Sequence, residues 1–226
     1  MRAAYSSGKE DTTMYRTILF DLDGTLTDPG LGITNSIMYA LERFDIKVED
    51  RTSLYKFIGP PLQESFKKYY DFSDEDITRA VAYYREYYSD KGIYENVLYD
   101  GMAELLEQIK NSGRNVVLAT SKPEEFAAEI LRYFDIVKHF DFLAGATMDG
   151  TRNNKADIIA YAIASYHITD LSSAVMVGDR EYDILGAKAA GLDSIGVLYG
   201  YGSPEELHNA GATHIAERVA DIMSFL

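Results

Sequence analysis

Two carboxylates, Asp21 and Asp23, follow a short apolar run that ends at Phe20, and Gly24-Thr25 comes close behind them. A short apolar segment bounded by turn residues is typical of a buried strand in a parallel sheet. Ligands of open α/β sheets bind at the carboxyl ends of such strands. Because two buried acids are costly unless a cation meets them, the pattern predicts a charged ligand site at the end of this strand.

Composition narrows the class of protein. The chain has 226 residues, 46% hydrophobic and 26% charged, which predicts a folded protein with one sizeable core and room for a smaller second unit. Its net charge of -14 argues against a nucleic-acid polymer or a membrane as partner, because both are bound through clustered Lys and Arg. The sequence has no Cys, which excludes disulfides and thiolate metal sites. We therefore expect a small-molecule partner.

The N-terminal residues 1–13 are polar and lack the apolar stretch of a signal peptide. No apolar run approaches the ~20 residues that cross a bilayer. We expect a disordered leader over residues 1–13, with Met14 as an alternative start, and a cytoplasmic location.

From Asp100 onward, helical and strand patterns alternate, which predicts βα units and a mostly parallel sheet. The predicted strands are 115–119, 142–145, 173–177, 194–198 and 213–216, and the clearest predicted helices are 102–111 and 155–166. The expected fold class is α/β, with a three-layer Rossmann-like parallel sheet core formed by residues 14–28 and 97–226.

Residues 29–96 show no convincing strand pattern. They are predicted to form helices that are broken at Asp50, Gly59-Pro60-Pro61, Ser73 and Gly92. This segment leaves the sheet after the two acids and returns before the next strand. We therefore expect an inserted all-helical cap domain, in a position where a lid excludes water and selects substrates.

Further polar residues fall at predicted strand ends or helix starts: Thr120, Ser121, Lys155, Asp179 and Asp183. Asp179 and Asp183 are four residues apart and point to similar faces of a helix start. With Asp21 they offer three carboxylates for Mg²⁺, a hard cation that takes oxygen ligands and often a phosphate oxygen. Lys155 can hold a carboxylate and a phosphate, and Thr120 can donate a hydrogen bond to the phosphate.

These residues together resemble the four motifs of the haloacid dehalogenase superfamily of phosphatases: Asp21-Leu22-Asp23-Gly24-Thr25, Thr120, Lys155 and Gly178-Asp179-Arg180-Glu181-Tyr182-Asp183. The resemblance covers the chain from about Met14 to the C-terminus. The helical insertion between the first two motifs is similar to that of the phosphoglycolate phosphatase-like group. The resemblance implies a phosphomonoester hydrolase that acts on a small phosphorylated metabolite.

The same resemblance implies roles for individual residues. Asp21 would be the nucleophile that forms a phosphoaspartyl intermediate, and Asp23 would be the general acid/base. Thr120 and Ser121 would bind the phosphate, and Lys155 would orient Asp21 and offset its charge.

A Mg²⁺ site is also implied by the resemblance. Its ligands would be Asp21, the backbone carbonyl of Asp23, and Asp179. Asp183 would bind the ion directly or through water. Mg²⁺ is the cofactor that we expect.

The superfamily leaves the reaction and the substrate open. Asp23 favours phosphoryl transfer, because dehalogenases of this fold typically lack the second acid. A sugar phosphomutase, a phosphonate hydrolase using a lysine such as Lys56, and a non-catalytic phosphometabolite-binding protein remain alternatives. The Arg-Glu pair after Gly178-Asp179 is similar to a 5'-nucleotidase-like subset, which makes 5'-nucleotidase the main alternative to phosphoglycolate phosphatase-like activity.

Three further features have two interpretations each. Tyrosines recur at i and i+4 on a predicted cap helix: Tyr83, Tyr84, Tyr87 and Tyr88. One pair either stacks on a substrate base or packs in the core.

Arg180 contacts the substrate or cap, or pairs with a neighbouring acid. The Gly-rich segment 199–203 leads into a helix or, less favoured, binds a nucleotide cofactor. Oligomeric state stays open.

Overall fold

The structure is a computed structural model that describes residues 15–226, so the predicted leader lies outside the described residues. In chain order, the strands are β1 Thr17–Phe20, β2 Thr27–Asp28, β3 Val97–Leu98, β4 Asn115–Pro123, β5 Phe142–Ala146, β6 Ala174–Gly178, β7 Asp193–Val197 and β8 His214–Ala216. The α-helices are α1 Gly30–Glu42, α2 Leu62–Tyr70, α3 Asp74–Tyr87, α4 Met102–Asn111, α5 Glu124–Tyr133, α6 Lys155–Ser165, α7 Glu181–Ala190 and α8 Pro204–Ala210. Short 3₁₀ segments cover Arg51–Phe57, Val137–His139, Leu171–Ser173 and Val219–Phe225, and Tyr88–Gly92 is a π-helical turn.

Six strands form one parallel sheet in the order β5-β4-β1-β6-β7-β8. β1 lies in its middle, where Phe20 pairs with Leu118 of β4 and Val177 of β6. This register brings the carboxyl ends of β1, β4 and β6 to the same edge of the sheet. The predicted α/β fold with a parallel, Rossmann-like sheet is confirmed.

The side chains of β1 alternate between the two faces of the sheet. Ile18 and Phe20 join a buried cluster that also contains Ile37 and Phe57, which come from the segment between β2 and β3. Leu19 joins a second cluster on the opposite face. Each large apolar side chain stabilises the fold by about 1.5–3 kcal/mol when buried. The strand that carries the acids is therefore held from both faces.

Between β2 and β3 the described residues form helical segments and loops. The Asp50 carboxylate accepts a hydrogen bond from the Thr52 N–H at 2.9 Å, and the Ser73 hydroxyl accepts one from the Asp76 N–H at 3.1 Å. Both residues cap the helical segments that follow them, at two of the predicted breaks. We call residues 29–96 the helical insertion.

A short antiparallel pair of strands closes the base of the helical insertion. Thr27 of β2 lies opposite Leu98 of β3, and Asp28 lies opposite Val97. The sequence analysis missed this pair, because a two-residue strand is too short to show alternation.

Within residues 15–226, no helix combines the length and hydropathy needed to cross a membrane.

Candidate active site

The acidic turn after β1 is held close to the end of β6. The Asp21 N–H donates to the Val177 carbonyl at 2.9 Å, which extends the sheet by one residue. Gly24 has a φ of +83°, and a Cβ at this position would lie 2.2 Å from an Asp179 carboxylate oxygen. A side chain at position 24 is therefore excluded by both backbone conformation and space. The turn buries Asp21 and Asp23 against the neighbouring motif.

Lys155, the first residue of α6, lies buried between two acids. Its Nζ is 2.8 Å from Asp21 Oδ1 and 2.7 Å from Asp183 Oδ1, and it donates to the Ala119 carbonyl at 2.9 Å. Burial alone would lower the pKa of Lys155, but the charges of Asp183 and Asp21 raise the pKa above its ordinary value. The ammonium group therefore stays charged at neutral pH.

Asp179 and Asp183 follow β6 and are fully buried. The Asp183 carboxylate accepts a hydrogen bond from the Arg180 N–H at 3.1 Å, which caps the start of α7. Asp179 Oδ2 accepts one from the Tyr201 N–H at 2.8 Å. These hydrogen bonds fix both carboxylates at the edge of the sheet.

The carboxylates of Asp21, Asp179 and Asp183 form a buried cluster whose ligand atoms lie within 4.8 Å of one another. Burial, reinforced by the charges of Asp183 and Asp21, raises the pKa of Asp179 well above its ordinary value. Burial also raises the pKa of Asp183. One lysine does not balance three ionised carboxylates, so the cluster favours the uptake of a proton or of a cation. An oxygen-rich site of this charge fits a hard divalent cation such as Mg²⁺.

β4 delivers the predicted phosphate-binding residues to the same edge. Thr120 is buried, Ser121 is partly exposed, and both line a cavity that also contains Asp21 and Asp23. The pairing of β4 with β5 shifts register between Thr120 and Pro123, which marks a β-bulge. Because α5 begins directly after this bulge, the free N–H groups of its first turn follow the two hydroxyls along the chain.

Lys122 is a site residue that the sequence analysis did not assign. It is 8% exposed, and its Nζ forms an ion pair with Asp23 Oδ2 at 2.5 Å. Burial raises the pKa of Asp23, and Lys122 opposes this rise. A lysine at a strand end is usually solvated, so only the fold reveals where Lys122 points. The sequence offered one signal that Lys122 belongs to the site. It lies in Thr120–Pro123, next to the predicted phosphate-binding residue Ser121.

The cavity lies between the acidic edge of the sheet and the helical insertion. The insertion contributes mainly apolar and aromatic side chains to its wall: Ile33, Phe57, Pro60, Pro61, Leu62, Val81, Tyr84 and Tyr88. The Tyr84 and Tyr88 rings are stacked, with centroids 5.3 Å apart and planes 10° apart. This tyrosine pair is buried in the core and also lines the cavity. Stacking on a substrate base stays a prediction.

Arg180 joins α7 to the helical insertion and is absent from the cavity wall among the described residues. Its guanidinium pairs with Glu206 at 2.8 Å and donates to the Ile58 carbonyl at 2.5 Å. The contact with the helical insertion and the pairing with an acid are therefore both present.

Lys56 lies 4.1 Å from the centroid of the Tyr69 ring, outside the cavity wall. Its position gives no support to a Schiff-base role.

The Gly-rich segment packs behind the acidic cluster. α8 begins at Pro204, as predicted, and the Ser203 hydroxyl caps it. A Cβ at Gly200 would lie 2.3 Å from the Gly24 carbonyl oxygen and 2.4 Å from Asp179 Cβ. This contact joins distant parts of the chain, so no local sequence pattern reveals it.

Fold and site together define an α/β protein with a parallel sheet that gathers acids and a buried lysine at its carboxyl edge. The model of the family described as haloacid dehalogenase-like hydrolase matches residues 18–197. The chain belongs to this family, and it is a phosphatase of the family.

Three known proteins illustrate the similarity. A 5'-nucleotidase of Pseudomonas aeruginosa is 43% identical over 212 residues, which cover 94% of this chain and 96% of the relative. The tyrosine-protein kinase PtkA of Mycobacterium tuberculosis is 38% identical over 196 residues, which cover 87% of this chain and 66% of the relative. The crystal structure of a predicted phosphatase from Clostridium acetobutylicum has a TM-score of 0.91 and 48% identity, and the match covers 94% of this chain and 98% of that one.

Proposed function

We propose that this phosphatase is a Mg²⁺-dependent phosphomonoesterase that forms a phosphoaspartyl intermediate on Asp21. The observation that supports this most is the buried cluster of Asp21, Asp179 and Asp183 around Lys155. Asp23 lies two residues from Asp21 and lines the same cavity. The proposed nucleophile and the proposed general acid therefore line one cavity, and Asp21 also belongs to the acidic cluster.

In the proposed reaction, an Asp21 carboxylate oxygen attacks phosphorus, and the ester oxygen leaves with a proton from Asp23. Water then attacks the phosphoaspartyl group while Asp23 takes a proton from it, which releases phosphate and regenerates Asp21. The raised pKa of Asp23, caused by burial, favours the protonated carboxyl that the first step needs. When bound, Mg²⁺ supplies positive charge against the phosphate oxygens.

Lys155, Thr120 and Ser121 are the residues that we propose hold the phosphate. Lys155 is already fixed by Asp21 and Asp183, so it adds positive charge beside the nucleophile without further ordering. Both hydroxyls lie in the cavity wall. We propose Mg²⁺ ligation by Asp21, the Asp23 carbonyl and Asp179, with Asp183 bound directly or through water.

We propose that the helical insertion acts as a cap domain over the core formed by residues 14–28 and 97–226. Its contacts across the cavity support this division. The Arg85 guanidinium donates to the Met148 carbonyl at 3.3 Å, and the Tyr88 ring packs edge-on against Phe126 with centroids 5.5 Å apart. A cap in this position shields the phosphoaspartyl group from solvent and shapes the leaving-group side of the cavity.

For the substrate class, we propose a nucleoside 5'-monophosphate. The stacked Tyr84 and Tyr88 rings and the surrounding apolar wall match a planar base better than a small, fully charged acid. The name of the P. aeruginosa relative agrees with this assignment. A 2-phosphoglycolate is the second candidate, because Arg85 lines the cavity and has no acidic ion-pair partner among the described residues.

Tyr84→Leu is expected to reduce kcat/KM for nucleoside monophosphates by about 10-fold, since an aromatic stacking surface is lost while apolar volume is kept. The kcat/KM for 2-phosphoglycolate should change much less. The measurement is phosphate release from both substrates, from sugar phosphates and from an aryl phosphate, with Mg²⁺ or with EDTA. Tyr133→Leu, at a tyrosine that is 55% exposed, is the matched control.

The ranking of wild-type rates tests the substrate proposal directly. Faster turnover of 2-phosphoglycolate than of every nucleotide would favour the second candidate. Activity that survives EDTA would contradict Mg²⁺ dependence, and a wild-type chain that releases no phosphate from the panel would contradict the proposed hydrolysis.

Mg²⁺ is expected to raise Tm more at about pH 8 than at about pH 5, because metal ligands must be deprotonated to bind. The raised pKa of Asp179 means that the folded state without metal binds more protons than the unfolded state, so its stability falls as the pH rises from the ordinary pKa of an aspartate to the raised one. A bound cation opposes that loss. Thermal unfolding at both pH values, with Mg²⁺ or EDTA, measures the effect.

Asp179→Asn should lose most of the stabilisation by Mg²⁺. Asp157→Asn is the control, because Asp157 is exposed at the start of α6 and lies outside the acidic cluster. Equal Mg²⁺ effects at both pH values, or in wild type and Asp179→Asn, would argue against the metal site.

A further inference from the structure

We propose that Lys122 is a positioning residue that orients the Asp23 carboxylate for proton transfer to the leaving group. The inference rests on the proposed function, in which Asp23 is the general acid. It assigns a role to a lysine that lies outside the motif residues considered from the sequence.

The two oxygens of Asp23 have different environments. Oδ2 forms the ion pair with Lys122 Nζ at 2.5 Å, and Lys122 itself is 8% exposed. Oδ1 is buried and has no hydrogen-bond partner among the described residues. By holding one oxygen, the ammonium group fixes the carboxyl plane and leaves Oδ1 as the oxygen that carries the transferable proton.

The position of Lys122 is set by two irregular segments. From the core side, Lys122 lies in the β-bulge of β4, where its N–H donates to the Thr120 hydroxyl at 3.3 Å. From the helical insertion, the Tyr88 ring lies over the ammonium group, with Nζ 4.8 Å from the ring centroid. Tyr88 begins the π-helical turn after α3. Bulges and π-turns are frequent at functional sites because they redirect individual side chains.

The ion pair and the aromatic face restrict the ammonium group in two directions. The Tyr88 ring removes water from one side of Lys122, which strengthens its attraction to Asp23. The helical insertion thereby contributes to the orientation of an acid on the core. A lysine that bound the substrate phosphate instead would affect all phosphate esters alike, which gives the two roles different kinetic signatures.

The test compares kcat/KM for phenyl phosphate and 4-nitrophenyl phosphate, which share one aromatic ring. This parameter reports the steps up to transfer of the phosphoryl group to Asp21. Phenolate is a basic leaving group that needs a proton from Asp23, whereas 4-nitrophenolate leaves with much less assistance. A defect in proton donation therefore slows phenyl phosphate selectively.

Lys122→Met is expected to lower kcat/KM for phenyl phosphate by about 10-fold to 100-fold and that for 4-nitrophenyl phosphate by only a few-fold, within the usual range of general acid catalysis. Asp23→Asn removes the proposed proton donor itself, so it should show the largest selective loss on phenyl phosphate. Lys122→Arg keeps the charge and should restore part of the lost rate. Lys110→Met is the control, because Lys110 pairs with Asp141 on the surface.

Each outcome decides the inference. Selective loss on phenyl phosphate in Lys122→Met supports it, whereas equal losses on both esters, or no loss, overturn it. If Lys122→Met unfolds, Lys122→Gln is subjected to the same comparison with the same criteria. A wild-type chain without turnover would overturn the proposed function and this inference together, while an active wild type with equal losses in the variant overturns the inference alone.

Discussion

Asp21→Asn is expected to abolish phosphate release, with a loss of kcat of about 10⁴-fold or more, since an amide is a far weaker nucleophile than a carboxylate. The substitution preserves the shape of the side chain, and Lys155 keeps its ion pair with Asp183. We therefore expect the variant to fold with a Tm close to that of the wild type. Phosphate release at saturating substrate, together with thermal unfolding, measures both properties.

The intermediate offers a second readout for Asp21. Wild-type protein quenched during turnover should carry an acyl phosphate that hydroxylamine cleaves, and Asp21→Asn should carry none. Asp74→Asn is the matched control, because the Asp74 side chain is 94% exposed at the start of α3. Turnover near the wild-type rate in Asp21→Asn would exclude Asp21 as the nucleophile.

The parallel sheet was predictable because its strands can be identified from short local sequence patterns. The runs before Asp21, Thr120 and Asp179 are short, apolar and bounded by turn residues, which is the pattern of a strand buried on both faces. Since parallel strands end at one edge, polar residues that follow them meet in space. The structure brings these three residues to one edge of the sheet, and Lys155 reaches it from the start of α6.

Contacts between distant segments could not be predicted from the sequence. Lys122 looks like an ordinary strand-end lysine until the bulge of β4 directs it to Asp23. The packing of Gly200 against Asp179 depends on how two loops meet. Likewise, the Tyr84–Tyr88 pair had two interpretations because i, i+4 spacing identifies a shared helical face but not what that face meets.

Substrate choice is harder to predict than the reaction, for a physical reason. In the proposed reaction, the acids and Lys155 act on a phosphate group that every candidate substrate shares, so strand ends and spacing are enough to predict them. Under the proposed cap role, discrimination between leaving groups depends on the shape of the wall formed by the helical insertion. Small differences in such a wall change kcat/KM by factors that residue types alone do not reveal.

Lys155→Met is expected to reduce the free energy of unfolding by about 3–5 kcal/mol, because it leaves buried carboxylates without their cation. Lys155 is buried, and its Nζ lies within 2.8 Å of both Asp21 and Asp183. Its raised pKa indicates that its contribution is complete at neutral pH and is lost only as the pH rises through that raised value. Urea unfolding at neutral pH measures the loss.

The same variant should lose activity by about 10³-fold or more, since the cation beside the nucleophile is removed together with the orientation of Asp21. Lys138→Met is the control, because Lys138 forms an exposed ion pair with Asp135. Mg²⁺ should recover part of the lost stability of Lys155→Met but little of its activity, since the ion offsets the charge of the acids without restoring the contact with Asp21. Unchanged stability in EDTA would show that the acids are protonated in the folded state and do not need Lys155.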